Sequence, residues 1–314
     1  MKQKYKWFVG VMMAGVFGIG TTSCVDEIKF GNSFLEKAPG GSATQDTIFN
    51  SVTYTRQFLN TCYSRQYYGL PYVNSSVDDF PDSSNPYTGK FDALTDCWQL
   101  HYSGTTVYNS YYSGTHTANY GIRGDIFGYT REGVWQTVRW CWLLLENVDR
   151  VPGMGEDEKV KMKAEAKCLI AARYFDMFRH YGGLPLIYAS FMGTETNYQL
   201  PRATVEETVN YMDKMLEEAI ESGGLKWAYE GADFNSDSGH WTLAGAMALR
   251  CKLWQFAASP LFNDTQGYAG GRSEAEQQHL VWYGSKRPEL WNKCLEYCRQ
   301  FFNAVAANGF YKLR

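Results

Sequence analysis

The stretch from Glu165 to Ile187, EAKCLIAARYFDMFRHYGGLPLI, leaves this chain few options. Val160, Ala164, Cys168, Ala171, Phe175 and Phe178 recur at steps of three and four, which draws one apolar stripe down a helix. Ala164, Ala166, Ala171 and Ala172 add so little bulk that a neighbouring helix can approach closely. Gly182-Gly183 then stops the helix, because glycine accepts the left-handed conformation of a C-cap, and Pro185 prevents its resumption. The segment predicts a buried helix, an abrupt stop and an extended exit.

Helical periodicity returns along much of the chain. A first helix is expected from Asp46 to Tyr68, with Thr44 as its cap and Phe49, Val52, Tyr54, Phe58, Leu59, Cys62 and Tyr63 on its apolar face. Another runs from Glu132 to Val151, carrying Val134, Trp135, Val138, Trp142, Leu145 and Val148. Thr204 opens a helix to about Ser222, and Glu207 stands where a capping box needs it. After a polar turn, GADFNSDSGH, an almost wholly apolar helix spans Trp241 to Ser259 and ends at Pro260. Residues 261–287 read as loop, and Glu289 to Ala307 as a last amphipathic helix. Trp140, Trp142 and Trp254 fall at helical spacing and are expected in the core. Six helices, mostly in antiparallel pairs, predict an all-α chain; pairs of this length suggest the tetratricopeptide idea, but the repeats are too irregular to fix that plan from the sequence alone.

Residues 69–132 break that pattern. They are too long for an ordinary connection and too aromatic for disorder, so an ordered functional loop is expected. The chain as a whole has 23 tyrosines and a net charge of −3.

The first 24 residues read as a targeting segment. Lys2, Lys4 and Lys6 precede an apolar run from Trp7 to Gly20, and Thr21-Thr22-Ser23-Cys24 resembles a lipobox with Thr21 in the usual leucine place. On that resemblance Cys24 is the lipidated N-terminus, anchored by acyl chains that each contribute about 0.8 kcal/mol per buried methylene; the alternative is an ordinary secretory signal cut near Ser23. Removing three lysines and no acid takes the charge from −3 to −6. An acidic, tyrosine-rich surface argues against nucleic acid. Residues 25–43 form a tether, and Asp26-Glu27 resembles the acidic signal of surface-exported lipoproteins. The remaining cysteines (Cys62, Cys97, Cys141, Cys168, Cys251, Cys294 and Cys298) are odd in number and form no CxxC or zinc pattern. Cys294 and Cys298, four apart on one helical face, are badly placed for a disulfide.

The E-A-K-x-L-x-A-x-x-Y-F helix running into Y-G-G-x-P-L resembles the SusD/RagB family, the outer-membrane nutrient-binding lipoproteins of Bacteroidetes. FLEKAPGG, VWQTVRWCWLLLENV, LPRATVEETVNYMDKMLEEAI, TLAGAMALRCKLWQFAASPLFN and ELWNKCLEYCRQFFN followed by GFYKLR match in order, from Cys24 to Arg314. One departure is Ile170 where the family has arginine, with Arg173 three residues later. Another is the end at Arg314, where family members continue, so a truncated sequence lacking part of the family's site is expected. The resemblance implies a SusD-like helical domain over 44–314, built on four helix pairs. It also implies surface exposure at the outer membrane, oligosaccharide capture without catalysis or cofactor, and delivery to a SusC-like TonB-dependent transporter.

Rigid aromatic plates cover the apolar faces of sugar rings, while acids and amides hold the hydroxyls. The long loop supplies both. Trp98, flanked by Asp96 and Tyr102, leads the candidates, with Tyr72, Asp78 and Asp79 beside it. Packing of these rings onto the scaffold is the competing reading. Trp282-Tyr283, near Lys286 and Arg287, stands equally as a second plate or as a hydrophobic cap on the final helix. RagB-like peptide capture, a glycosidase and a protein-binding scaffold remain alternatives. With 33 acids in the chain, neighbouring carboxylates such as Asp78 and Asp79 do not define the facing pair that glycoside hydrolysis needs. The five histidines, His101, His116, His180, His240 and His279, form no catalytic or metal-binding motif.

Overall fold

The computed structural model describes residues 44–64, 96–97, 112, 132–191 and 199–312. The proposed signal segment, the tether and most of the 69–132 loop lie outside them. The chain divides after Gln45 into two units, of which Asp46–Arg314 carries the helical core.

Two helices, α1 (Gln45–Phe49) and α2 (Val52–Ser64), stand where one was expected from Asp46 to Tyr68. The break falls at Asn50-Ser51, where side chains take over backbone partners. Ser51 Oγ accepts the Tyr54 N–H at 3.4 Å, and Thr55 Oγ1 donates to the Ile48 and Ser51 carbonyls at 3.0 and 2.9 Å. Phe49, Leu59, Cys62 and Tyr63 are buried, whereas Tyr54 faces solvent.

Helix α3 (Glu132–Asn147) tightens into a 3-10 turn at Val148–Arg150, and α4 (Glu156–Tyr181) comes next. Three acids at the start of α4 and Arg179 and His180 at its end suit the helix dipole. The expected stripe is buried except at Val160, but so are Leu169, Ile170, Tyr174 and Met177 on other faces. Neighbours explain this: α4 packs against α2, α3, α5 (Val205–Glu221) and α7 (Leu243–Ala258). A helix surrounded in this way is apolar all round rather than amphipathic. Both Ile170 and Arg173 are buried within it. Trp254 is core, as expected, while Trp140 and Trp142 are half-buried against the core's edge.

Side-chain pairs give the helix directions. Lys167 meets Glu218 and Tyr174 meets Tyr211, so α4 and α5 run antiparallel. Arg56 meets Glu158 and Tyr63 meets Glu165, so α2 runs parallel to α4. Arg250 meets Tyr297 and Trp254 meets Lys293, which makes α7 and α9 (Glu289–Asn308) a second antiparallel pair. The architecture is all-α, built of stacked helical hairpins in the tetratricopeptide manner, and no strand occurs among the described residues. Two short helices interrupt expected loops: α6 (Ala232–Asp237) lies in the polar turn, and α8 (Glu274–Gln277) in the stretch 261–287.

The double glycine ending α4 has a tertiary role as well as a capping one. Gly182 adopts φ 74° and donates its N–H to the Phe178 carbonyl. A Cβ on Gly183 would run into the Ala203 carbonyl oxygen, and one on Gly182 would lie 2.5 Å from that of Leu280. Two returning segments therefore press on this turn, and only glycine leaves room for them.

Candidate functional site

Of the residues proposed for ligand contact, Trp98, Tyr102, Tyr72, Asp78 and Asp79 lie outside the described residues, as does Cys24. Asp96 is exposed and accepts a contact from the Cys97 thiol at 3.6 Å. Tyr283 is only 3 % exposed: its N–H donates to the Phe262 carbonyl at 2.9 Å, and the Arg287 guanidinium covers its ring. It is a core residue, which corrects its assignment as half of an open plate. Trp282 is half-buried, and its indole N–H donates to the Glu276 carbonyl at 2.9 Å. It braces the loop around α8, and its ring meets that of His279 edge-on.

The described residues offer an aromatic cleft elsewhere, where the extended exit from α4 crosses α3. Tyr174 on α4 donates its hydroxyl to the Pro185 carbonyl at 2.8 Å and accepts the Ile187 N–H at 3.1 Å. Tyr211 on α5 donates to the Ile187 carbonyl at 2.5 Å. Burial pushes both phenols far above their ordinary range, so they remain protonated donors. Further along, Glu146 accepts the Ser190 N–H at 2.8 Å and also its hydroxyl. Arg139 Nε reaches the Phe191 carbonyl at 2.8 Å.

Fixing the exit in this way opens a cleft of about 490 Å³ between it and α3. Trp135, Pro185, Ile187, Phe191 and Leu200 supply apolar walls, and Gln136 and Arg139 supply hydrogen-bonding groups. Trp135 is set edge-on to Tyr174 at 6.0 Å, so its ring is held rigidly. Nearby, Tyr188 is 63 % exposed and stands edge-on to Tyr211 at 5.2 Å. Aromatic surface with a few fixed polar groups is the chemistry expected of a sugar site. The sequence had placed Trp135 on a core stripe, and Phe191 had no helical periodicity to mark it.

A second cleft of about 800 Å³, rich in charged residues, lies along the N-terminal part of α4 beside α2. At its floor Glu165, fully buried, accepts hydrogen bonds from Tyr63 at 2.8 Å and pairs with His240 Nδ1 at 2.8 Å. Lys161 bridges Glu165 and Asp237, at 3.8 and 2.5 Å, and Arg56 pairs with Glu158 at the rim. Most charges here are matched within the protein, but Glu165 Oε1, buried at the floor, has no hydrogen-bond partner among the described residues. Among the described residues, no group of three or more His, Cys, Asp or Glu is placed to hold a metal ion.

The helical architecture has counterparts among solved structures. BT4246 superposes with a TM-score of 0.60 at 21 % identity, over 84 % of this chain and 41 % of its own. A SusD superfamily protein from Bacteroides vulgatus gives 0.52 at 17 %, over 85 % and 50 %. A SusD-like carbohydrate binding protein from Bacteroides fragilis gives 0.50 at 19 %, over 68 % and 40 %. The chain has the SusD-like helical fold, and it spans half or less of the length of these structures. No protein-family model and no curated protein matches its sequence.

Proposed function

We propose that the protein is a SusD/RagB-type lipoprotein that binds an oligosaccharide without chemical turnover. It is held at the outer membrane by Cys24 and passes its ligand to a SusC-like TonB-dependent transporter. The observation that carries this reading is the cleft of Trp135 and Phe191 beside Gln136 and Arg139, on a SusD-like fold. Trp98, Tyr102 and Tyr72, with Asp78, Asp79 and Asp96, are proposed to extend the same kind of surface from the long loop. The SusD-like carbohydrate binding protein of the same fold supports glycan as the ligand class. Among the described residues no helix is long and apolar enough to cross a membrane, which suits anchoring by acyl chains.

Native electrophoresis through gels laced with a panel of polysaccharides tests this. The wild-type protein is expected to be retarded by at least one glycan. Trp135→Ala, Arg139→Ala and Trp98→Ala should each weaken that retention about tenfold or more, since a stacking ring or a bidentate donor contributes about 1–3 kcal/mol. No retention on any glycan, or release of reducing sugar during incubation, would overturn the reading.

A further inference from the structure

The cleft between α3 and the exit from α4 is lopsided in charge. Among the described residues that line it, Arg139 is the one charged group, and no acid belongs to its walls. Glu146, further along α3, is engaged elsewhere: it accepts the Ser190 N–H at 2.8 Å and also the Ser190 hydroxyl. Arg139 itself gives Nε to the Phe191 carbonyl at 2.8 Å. That bond fixes the plane of the guanidinium and leaves its two Nη groups with no acceptor among the described residues. A guanidinium presents its donors as a rigid planar fork, complementary to a flat anion with two oxygens. Apolar walls make that attraction stronger than it is in open water.

We infer that the cleft selects glycans bearing a uronic acid, whose carboxylate takes the two Nη groups of Arg139 while the sugar ring lies on Trp135. The assignment rests on the glycan-binding function proposed above and narrows it to one class of sugar. Trp135 and Arg139 are one helical turn apart on α3, so their side chains are neighbours on one face. Tyr174 holds the Trp135 ring edge-on, which makes it a fixed plate, and Gln136 is at hand for a hydroxyl. A single guanidinium balances the single charge of a carboxylate. On a uronic acid that carboxylate stands on the carbon next to the ring oxygen, beside the apolar face that stacks. The chain carries a net charge of −3 and does not attract polyanions in bulk, so capture of an acidic sugar has to come from this local charge.

Isothermal titration of the full chain with short oligomers of galacturonate, glucuronate, mannuronate and guluronate tests this, each paired with its own methyl ester. The ester keeps the ring and hydroxyls but removes the charge. At least one acid is expected to bind, about tenfold or more tighter than its ester. Arg139→Gln should erase that preference by weakening the acid alone, whereas Trp135→Ala should weaken acid and ester together. Added salt should weaken the acid and leave the ester unchanged. Equal binding of acid and ester, binding of neutral glycans only, or an acid preference that survives Arg139→Gln would overturn the inference and leave glycan binding standing. Binding of no acid, ester or neutral glycan would overturn both. The comparison of acid with ester needs only the wild-type protein, so it decides the matter even where Arg139→Gln fails to fold.

Discussion

Tyr63 on α2 and Glu165 on α4 meet at 2.8 Å inside the protein, and the contact ties three helices together. The Tyr63 oxygen also accepts the Trp241 N–H at 2.8 Å, immediately before α7. Its ring lies 4.5 Å from that of His240, which itself pairs with Glu165. Burial, with the Glu165 charge second, pushes the Tyr63 hydroxyl far above its ordinary range and keeps it a donor. The buried carboxylate is satisfied on one side only: Tyr63 and His240 both bond Oε2, while Oε1 has no hydrogen-bond partner among the described residues and Lys161 lies 3.8 Å from it.

Tyr63→Phe should therefore cost about 1–3 kcal/mol, since it strands the Trp241 N–H and leaves Glu165 Oε2 with His240 alone. Glu165→Ala should cost more, about 3–5 kcal/mol, by leaving both the Tyr63 hydroxyl and His240 Nδ1 without their buried partner, although Lys161 keeps Asp237. Urea titration of the variants measures both. Equal stability of Tyr63→Phe and wild type would show that the contact contributes nothing.

The sequence made some of this arrangement legible and hid the rest. Glu165, Cys168 and Phe178 lie on a helix whose span could be read from apolar spacing and its glycine stop. That spacing could not reveal that neighbours surround α4, because periodicity reports one face and Ile170, Tyr174 and Met177 occupy others. Thr204 and Glu207 form their capping box as expected, with the Thr204 hydroxyl accepting the Glu207 N–H at 3.1 Å. Ser273 and Glu276 form another, and their spacing carried the same signal inside a stretch read as loop. The Trp135–Phe191 cleft was hidden because its walls are brought together only by the path of the chain after Gly183. Tyr283 misled for a related reason: an aromatic in a polar loop looks exposed until the loop folds back on Phe262.

Arg250 gathers a second buried network. It forms two bonds to Asp213, at 2.7 and 3.2 Å, and further bonds to Glu217 at 2.8 Å and Tyr297 at 2.9 Å. The Trp254 indole N–H adds a bond to Asp213 at 2.7 Å. Arg250→Ala should destabilise by about 3–5 kcal/mol, because Asp213 then keeps only the Trp254 indole N–H and the more distant Lys293, at 3.7 Å, as partners. Arg250→Ala combined with Asp213→Asn should recover part of that loss in denaturant titration. A double variant as unstable as the sum of the singles would mean that the pair is not coupled.

Gly183→Ala tests the pressed turn. The added methyl would fall on the Ala203 carbonyl, a backbone atom that cannot rotate away, so α4 and the start of α5 must separate. A loss above about 2 kcal/mol is expected, together with weaker glycan retention, since the exit lining the cleft moves with it. Gly155→Ser is the counterpart. It adds a capping hydroxyl at φ −66°, where no atom lies within 4 Å of a new Cβ, and should stabilise α4 by a few tenths of a kcal/mol, roughly the cap's advantage over glycine. Thermal melts of the two variants should move in opposite directions.

The α5 capping box predicts a particular acid response. The Thr204 backbone N–H, and then its hydroxyl, hold the Glu207 carboxyl below its usual range. A depressed folded-state value means that the unfolded chain binds this proton more readily. The stabilisation is thus fully present above the ordinary glutamate value of about 4.3 and is lost as pH falls through the folded one. Glu207→Gln removes the titration, so the stability gap between wild type and variant should close as the solution is acidified from neutrality to about pH 3. Thr204→Ala should cost about 1 kcal/mol at neutral pH by removing the cap itself. Denaturant midpoints across that pH series measure both, and a gap that stays constant down to the acid end would show that the capping carboxylate is not what Glu207 contributes.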